Sequence, residues 1–382
     1  MDERVKAQND YTRVTEWNEA GWDGTGVTVW DEEGLGTHGT MTRSRILDAA
    51  PNCKVLNYGH SMICNYKEIL EEYILLEDGT KVSADEFIGH NHVTILSHSH
   101  GGKGDNQKSI VDLHAYLKKK YNLALFNSAG NDGSTGVHGG ALPESLAIYV
   151  GAAQAFKNDF NDIRMANYSS QGDEFEEVDF STFVGPGGWS GTSFSTPYLA
   201  GIAALLQQRY GFDTTQAEMY AYFKMISKPI PAGHPSVEDP DNYDYWSGYG
   251  IPILPPVDKR YVVMEIGRKA YKMEGVWDEM DTAPFIEKQR TFVPIAFAAI
   301  ALGAQVSWDE KNKKVTIRKG SDILDMYIGS RSYLINGKPG YMDVAPFIKD
   351  SRTFVPIAFA ALALNCKVAW VPEEKKVLIL EQ

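Results

Sequence analysis

The chain has 382 residues, 43% hydrophobic and 23% charged, with 50 acidic against 37 basic side chains and a net charge of −13. That length points to two domains, each able to bury a core of its own, and the acidic excess disfavours nucleic acid or anionic lipid as main partner. No run of 18 apolar residues is present to span a membrane, and the three cysteines, Cys53, Cys64 and Cys366, are too few and scattered for a disulfide framework.

In chain order, Met1 to Lys6 lacks the apolar core of a signal peptide. The turn Gly24-Thr25-Gly26 opens into Val27-Thr28-Val29-Trp30, β-branched and aromatic residues that predict a buried strand ending at Asp31. Thr37-His38-Gly39-Thr40 then leads into a predicted helix over Met41 to Leu47. A second strand, Leu123 to Asn127, runs into the glycine-rich Ser128-Ala129-Gly130-Asn131-Asp132-Gly133. Gly191-Thr192-Ser193-Phe194-Ser195-Thr196-Pro197 delivers a serine to the first turn of an apolar helix. Proline does least harm near a helix start, and the helix dipole there favours developing negative charge. By itself this stretch also fits an ordinary capped helix. A serine nucleophile, however, needs an adjacent histidine and a carboxylate to fix that histidine's tautomer. His38 and Asp31 supply both types, and Asn131 supplies an amide donor for an oxyanion.

Asp, His, Asn and Ser in that order, at strand ends and helix starts of an α/β pattern, resemble the subtilisin-like serine proteases, the subtilases. The segments that carry the resemblance are Val29-Trp30-Asp31, His38-Gly39-Thr40, Ala49-Ala50-Pro51, Ser99-His100-Gly101-Gly102, Ala129-Gly130-Asn131 and Gly191 through Pro197, within residues 14–255. The resemblance implies a doubly wound, mostly parallel sheet flanked by helices. It implies Ser193 as nucleophile, His38 as general base and then acid, Asp31 as the orienting acid, and Asn131 with the Ser193 N–H as the oxyanion site. Peptide or protein would be the substrate, with Ser97, Ser99, His100 and Gly101 on one cleft wall and Ser128, Ala129 and Gly130 on the other. Small residues, Gly139 among them, would floor a pocket for a bulky apolar side chain.

Several positions depart from the family pattern. Glu32-Glu33-Gly34 follows Asp31 where Ser/Thr-Gly is usual, and Met41, Thr42 and Arg43 stand where small residues usually follow the histidine; these must find another neighbour or point outward. His38 to Pro51 is too short for the calcium loop that many secreted relatives insert, so the usual tight calcium site is not expected, although 50 acidic residues leave room for a weaker one. Only 30 residues precede Asp31, fewer than a folded propeptide needs. The expectation is a trimmed mature form, a cytosolic enzyme, or one released by lysis, for instance from a phage.

The nine histidines include one cluster with a metal-like look, His90, His92, His98 and His100, because alternate strand residues share a face. No HExxH or CxxC accompanies it. The reading is no metal, with His98 and His100 near the cleft and His90 and His92 at a loop. Cys53, beside a short strand, reads as a buried thiol.

The C-terminal third repeats itself at an offset of 62 residues: Arg290 to Ala299 recurs as Arg352 to Ala361, Ala283-Pro284-Phe285-Ile286 as Ala345-Pro346-Phe347-Ile348, and Trp308 as Trp370. Each copy reads strand, strand, short helix (Pro294 to Leu302, Pro356 to Leu364), hairpin, and a repeat this short buries its apolar face on its neighbour. The pair resembles the copper amine oxidase N-terminal-like or stalk domain found on many bacterial envelope proteins. With no histidine beyond His234 and only Cys366, copper is not expected. The resemblance implies a non-catalytic attachment module toward a cell-envelope component. The expected organisation is a peptidase domain over 1–255, a linker at 256–260, and an α+β repeat domain over 261–382 with copies near 261–320 and 323–382. The stalk-like repeats favour an extracellular or envelope location, against which the missing signal leaves a cytoplasmic one open. The alternative to a protease is an inactive subtilase scaffold that binds peptide or protein, since fold alone does not guarantee activity.

Overall fold

Parallel strands that are apolar on both faces need helices on both sides, and the N-terminal part of the chain is built that way. The computed structural model describes residues 2–32, 36–57, 74–75, 81–82, 84–99, 107–133, 146–172, 178–185, 189–230 and 243–382. The chain divides into two compact units, Met1–Val257 and Asp258–Gln382.

In the first unit, helices α1 (Glu3–Thr12) and α2 (Val14–Glu19) precede strand β1 (Thr28–Asp31). There follow α3 (Thr37–Ala49), β2 (Lys54–Asn57), the small ladder β3 (Ile74–Leu75) and β4 (Lys81–Val82), α4 (Ala84–Asn91), β5 (Val93–His98), α5 (Gln107–Tyr121) and β6 (Ala124–Ser128). After β7 (Ile148–Ala155), β8 (Ile163–Met165) and β9 (Phe180–Phe183) come α6 (Thr192–Tyr210), α7 (Gln216–Ile226) and the short pair β10 (Ser227–Lys228) and β11 (Ile251–Pro252).

The seven-stranded sheet has the order β2-β1-β5-β6-β7-β8, with β9 also on β7, and β7–β8 is its antiparallel pair. Strand order reverses between the parallel neighbours β1 and β5, β2 being added on one side of β1 and β5 on the other. In open α/β sheets that switch point, beyond the carboxyl ends of the strands, is where ligands bind. The register lines those ends up: Asp31 lies beside Asn57 and Ser97, Ser97 beside Phe126, and His98 beside Asn127.

Helix α6 runs through the interior with nearly every residue buried. Gly201 permits its closest approach to α3, since a Cβ there would meet the Ile46 carbonyl oxygen at 2.6 Å and the Ala49 Cβ at 2.8 Å. Seven residues earlier, Phe194 faces the His38 ring with centroids 5.3 Å apart. Two contacts in the same order along both helices mean that α3 and α6 run side by side in one direction, with their N-termini together. Arg45 of α3 helps lock them: fully buried, it donates to the Phe194 carbonyl of α6 (3.4 Å), and also to Asp48 Oδ2 (2.6 Å), the Phe183 carbonyl (3.0 Å) and Gln8 Oε1 (3.1 Å). Helix α1 also belongs to this core, through Thr12 and Asn9 on the Tyr198 hydroxyl at 2.9 and 2.8 Å. Among the described residues, no helix is long and apolar enough to cross a membrane.

The second unit departs from the simple order read for its copies. The first copy holds five strands before its helix, β12 (Tyr261–Glu265), β13 (Ala270–Met273), β14 (Val276–Glu279), β15 (Phe285–Glu287) and β16 (Arg290–Pro294). Then come α8 (Ile295–Ala301), β17 (Gln305–Asp309) and β18 (Lys314–Lys319). The second copy repeats this as β19 (Asp322–Tyr327), β20 (Ser332–Ile335), β21 (Lys338–Tyr341), β22 (Phe347–Lys349), β23 (Arg352–Pro356), α9 (Ile357–Ala363), β24 (Cys366–Val371) and β25 (Lys376–Glu381). The missed strands are short, and all four residues of β14 are exposed, so no period-2 apolar signal marks them.

The copies also exchange strands. One sheet has the order β14-β13-β12-β25-β24, another β17-β18-β19-β20-β21, and β15-β16-β23-β22 joins the two halves. Across that joint, ring pairs Phe285–Phe354 and Phe292–Phe347 sit at 5.0 and 5.1 Å, and ion pairs Arg290–Asp343 and Arg352–Asp281 repeat the same symmetry.

Candidate active site

The site assembles where β1, β5 and β6 end and α3 and α6 begin. Gly191 turns the chain into α6 with φ +133°, a region that side chains with a Cβ avoid. Ser193 is the second residue of the helix, in the first turn, where N–H groups lack the usual acceptor four residues earlier. One of these, the Thr192 N–H, donates to Asn131 Oδ1 at 2.7 Å, and the Thr192 hydroxyl donates to the same oxygen at 3.1 Å. The Gly130 N–H in turn donates to Thr192 Oγ1 at 3.0 Å. With Oδ1 committed to the helix start, the amino group of the exposed Asn131 side chain is the end left to meet a ligand. The Ser193 hydroxyl donates to the Ser99 carbonyl at 2.9 Å, which ties it to the exit of β5.

His38 is exposed at the second position of α3, and its ring lies against Phe194, the neighbour of Ser193. Asp31 is fully buried at the end of β1 and accepts the Thr42 hydroxyl at Oδ2, 2.8 Å away. Thr42 follows His38 by one helical turn, on the same face of α3. Helix α3 thus carries the imidazole against the serine's neighbour and, one turn on, the Thr42 hydroxyl against Asp31. Of the larger residues after His38, Thr42 turns inward, Met41 packs partly buried against the cluster of Ala152, Ala166, Val184 and Phe194, and Arg43 is exposed.

The proposed cleft residues divide. His100, Gly101 and Gly139 lie outside the described residues. Ser97 is corrected: it is a fully buried residue of β5 with β1 on one side and β6 on the other, so it belongs to the sheet and not to a cleft wall. Ser99, just past the strand, is the residue of that segment whose carbonyl reaches Ser193. On the other side, Ser128 ends β6 and the Ala129 methyl packs inward on Tyr149 and Val178.

The histidine reading is also corrected. His90 lies in the last turn of α4, which ends at Asn91, and His92 is the first residue beyond it, with φ +49°. His98 is 2% exposed, and its Nδ1 lies 2.7 Å from Glu32 Oε2. His114 Nε2 from α5 reaches the same oxygen at 2.9 Å. Burial works to raise the Glu32 pKa, but His114 and His98 more than offset it and hold the carboxyl well below its usual range. An ionised carboxylate only accepts, so both imidazoles donate. Among the described residues this is the set with metal-ligand chemistry, its three donor atoms lying within 4.8 Å of one another. Tetrahedral zinc ligands at about 2.05 Å would stand about 3.3 Å apart. The observed 2.7 and 2.9 Å are hydrogen-bond lengths, which makes this a bonded network. Sequence reasoning missed Glu32 and His114. The available signal was His114 in the apolar stripe Val111, His114, Leu117, Tyr121 of α5, a spacing that buries it. Burial pushes the Cys53 thiol up to about 12 and Cys366 to about 11, so neither is a ready nucleophile.

The family model described as "Subtilase family" matches residues 5–228, and the one described as "Copper amine oxidase N-terminal domain" matches residues 272–379. No curated protein matches the chain. Among solved structures, a cold-adapted subtilisin-like serine proteinase is similar over 61% of this chain and 90% of its own, at 16% identity and a TM-score of 0.40. The psychrophilic subtilisin-like protease Apa1 from Pseudoalteromonas sp. AS-11 is similar over 64% and 95%, at 11% identity and a TM-score of 0.42. The CspB protease of Clostridium perfringens is similar over 28% and 25%, at 20% identity and a TM-score of 0.22.

Proposed function

We propose that this chain, which belongs to the subtilase family, is a serine endopeptidase working through Ser193, His38 and Asp31. The observation that carries the proposal is the side-by-side packing of α3 and α6, which brings His38 against Phe194 while Thr42, one turn on, holds Asp31. In this reading the Ser193 hydroxyl turns from the Ser99 carbonyl to His38 and gives it its proton as Oγ attacks the scissile carbonyl carbon. The oxyanion that forms is met by the Asn131 amino group and the Ser193 N–H at the start of α6. His38 then protonates the leaving amine, the C–N bond breaks, and water hydrolyses the acyl-serine by the same steps. Asp31 keeps the imidazole oriented and stabilises its cation.

The substrate would be protein or peptide, with a bulky apolar residue preferred before the scissile bond, as peptide-library profiling would test. We assign the repeat domain an attachment role toward a cell-envelope component, supported by its match to the copper amine oxidase N-terminal family. A chain ending at Val257 should then keep its peptidase activity and melting temperature.

A fluorophosphonate probe tests the central claim. Labelling of the full-length chain, lost in Ser193→Ala and depressed by about 10⁶ in His38→Ala, is the expected result. The hydrogen bond from Ser193 to Ser99 favours a second reading, an inactive peptide-binding scaffold. A folded wild-type chain that neither labels nor cleaves any peptide would establish that second reading.

A further inference from the structure

The Asp31 carboxylate is removed from water, and the hydroxyl of Thr42 lies 2.8 Å from its Oδ2. Thr42 is itself fully buried, so this hydroxyl has no solvent to turn to. Its single proton has two acceptors in reach, the Gly39 carbonyl at 3.0 Å and the carboxylate. A charge-assisted bond to a desolvated carboxylate is the stronger of the two, so the proton goes to Asp31 while that group is ionised. The next residue, Glu32, directs its side chain to His98 and His114. A donor to the acid thus comes from α3, the helix that also carries His38 one turn earlier.

We propose that Thr42 is a positioning residue for the acid–base pair: its hydroxyl fixes the Asp31 carboxylate beneath His38 and draws off part of its charge, thereby tuning how strongly the imidazole holds a proton. The proposal rests on the reading of Asp31 and His38 as acid and base. Among the described residues, the titratable groups on the elements packed at the pair are Glu32 past the end of β1, His98 on β5 and His114 on α5, joined in one network, while β2 contributes the neutral Asn57, whose amide donates to the Gly39 carbonyl at 3.2 Å. A carboxylate stripped of one donor keeps more charge and holds the neighbouring imidazolium proton more firmly.

The test compares Thr42→Val, which keeps the shape without the hydroxyl, with Thr42→Ser, which keeps the hydroxyl. In the full-length chain, Thr42→Val should lower kcat on a peptide substrate about tenfold, the size of one hydrogen bond to a charged group. KM should stay within about twofold, and the acid limb of kcat/KM should move to higher pH. Thr42→Ser should restore both. If the valine chain does not fold, Thr42→Ala makes the same comparison. Unchanged kcat and acid limb in Thr42→Val, or equal impairment in Thr42→Ser, would overturn the proposal. A second readout needs no turnover: the NMR titration of the His38 ring in the Ser193→Ala chain, assigned against His38→Asn. Its midpoint should rise in Thr42→Val, and an unmoved midpoint refutes the role of Thr42. A wild-type chain that neither labels nor cleaves refutes the protease reading, and the titration still decides on Thr42.

Discussion

Glu32 offers the sharpest test of how this site is held. It is 3% exposed, and a single carboxylate oxygen takes both imidazoles, at 2.7 Å from His98 and 2.9 Å from His114. Glu32→Gln leaves one carbonyl oxygen that fits the same place, so both bonds survive as neutral ones. A hydrogen bond to a charged group contributes about 1 kcal/mol more than a neutral one, so two of them predict a loss of about 2 kcal/mol at pH 7. Glu32→Leu strands both N–H groups in the interior and should cost about 3–5 kcal/mol. The pH dependence has a definite sign. The carboxyl is held well below its ordinary value of 4.5, so its contribution is complete above that pH and is lost as pH falls toward the depressed native value. In that window the unfolded chain binds the extra proton, and stability drops by up to about 1.4 kcal/mol per pH unit. Between about pH 4.5 and 2.5 this amounts to about 2 kcal/mol, which erases the advantage over glutamine. Urea unfolding in the Ser193→Ala background, free of self-cleavage, measures both quantities, and the Asp258–Gln382 unit of the same chain serves as an internal control. A gap under about 0.5 kcal/mol at pH 7, or one that does not close on acidification, would refute the reasoning.

Gly201→Ala drives a methyl to 2.6 Å from the Ile46 carbonyl oxygen, and overpacking of this kind costs about 1–3 kcal/mol. Because the same helix pair carries His38 and Ser193, fluorophosphonate labelling should slow more than the melting temperature suggests; unchanged labelling in a destabilised chain would count against the two-helix geometry. Asn131→Ala should lower kcat by about 10²–10³, the loss known for removing such a donor from subtilisin, with KM little changed. A rise in KM alone would instead make Asn131 a binding residue. Melting temperature should not respond to a calcium chelator, because α3 runs unbroken from Thr37 to Ala49 and β2 starts five residues later; a large drop would reveal a stabilising calcium ion. Residues 258–320 alone should show no cooperative melt by circular dichroism until 321–382 is added, since β12 needs β25 and β18 needs β19. A folded monomeric fragment would contradict the strand exchange.

What the sequence makes legible here is local, and what it hides depends on distant partners. Gly191 through Pro197 announces itself because a tight turn, a hydroxyl and an early proline leave few conformations open, and β1, β6 and the repeat at 62 residues are read from equally short-range signals. Glu32 meets His98 and His114 across 66 and 82 residues of chain, and only because β1 pairs with β5 and α5 packs over them. Nothing near Glu32 in the sequence encodes that pairing. The same limit explains Ser97, whose small polar side chain suggests a loop wall while both its neighbours are strands. It explains the repeat domain too, where each copy's strands are visible but their choice of partner is not. Thr42 shows the consequence for chemistry. A threonine among larger residues after a histidine looks like a helix position with no special part, and its meaning appears only once the end of β1 lies under that turn of α3. The residues that would react are chosen by their own chemistry and can be named from sequence. The residues that tune them are chosen by position, so they become visible only after the strands and helices have been placed.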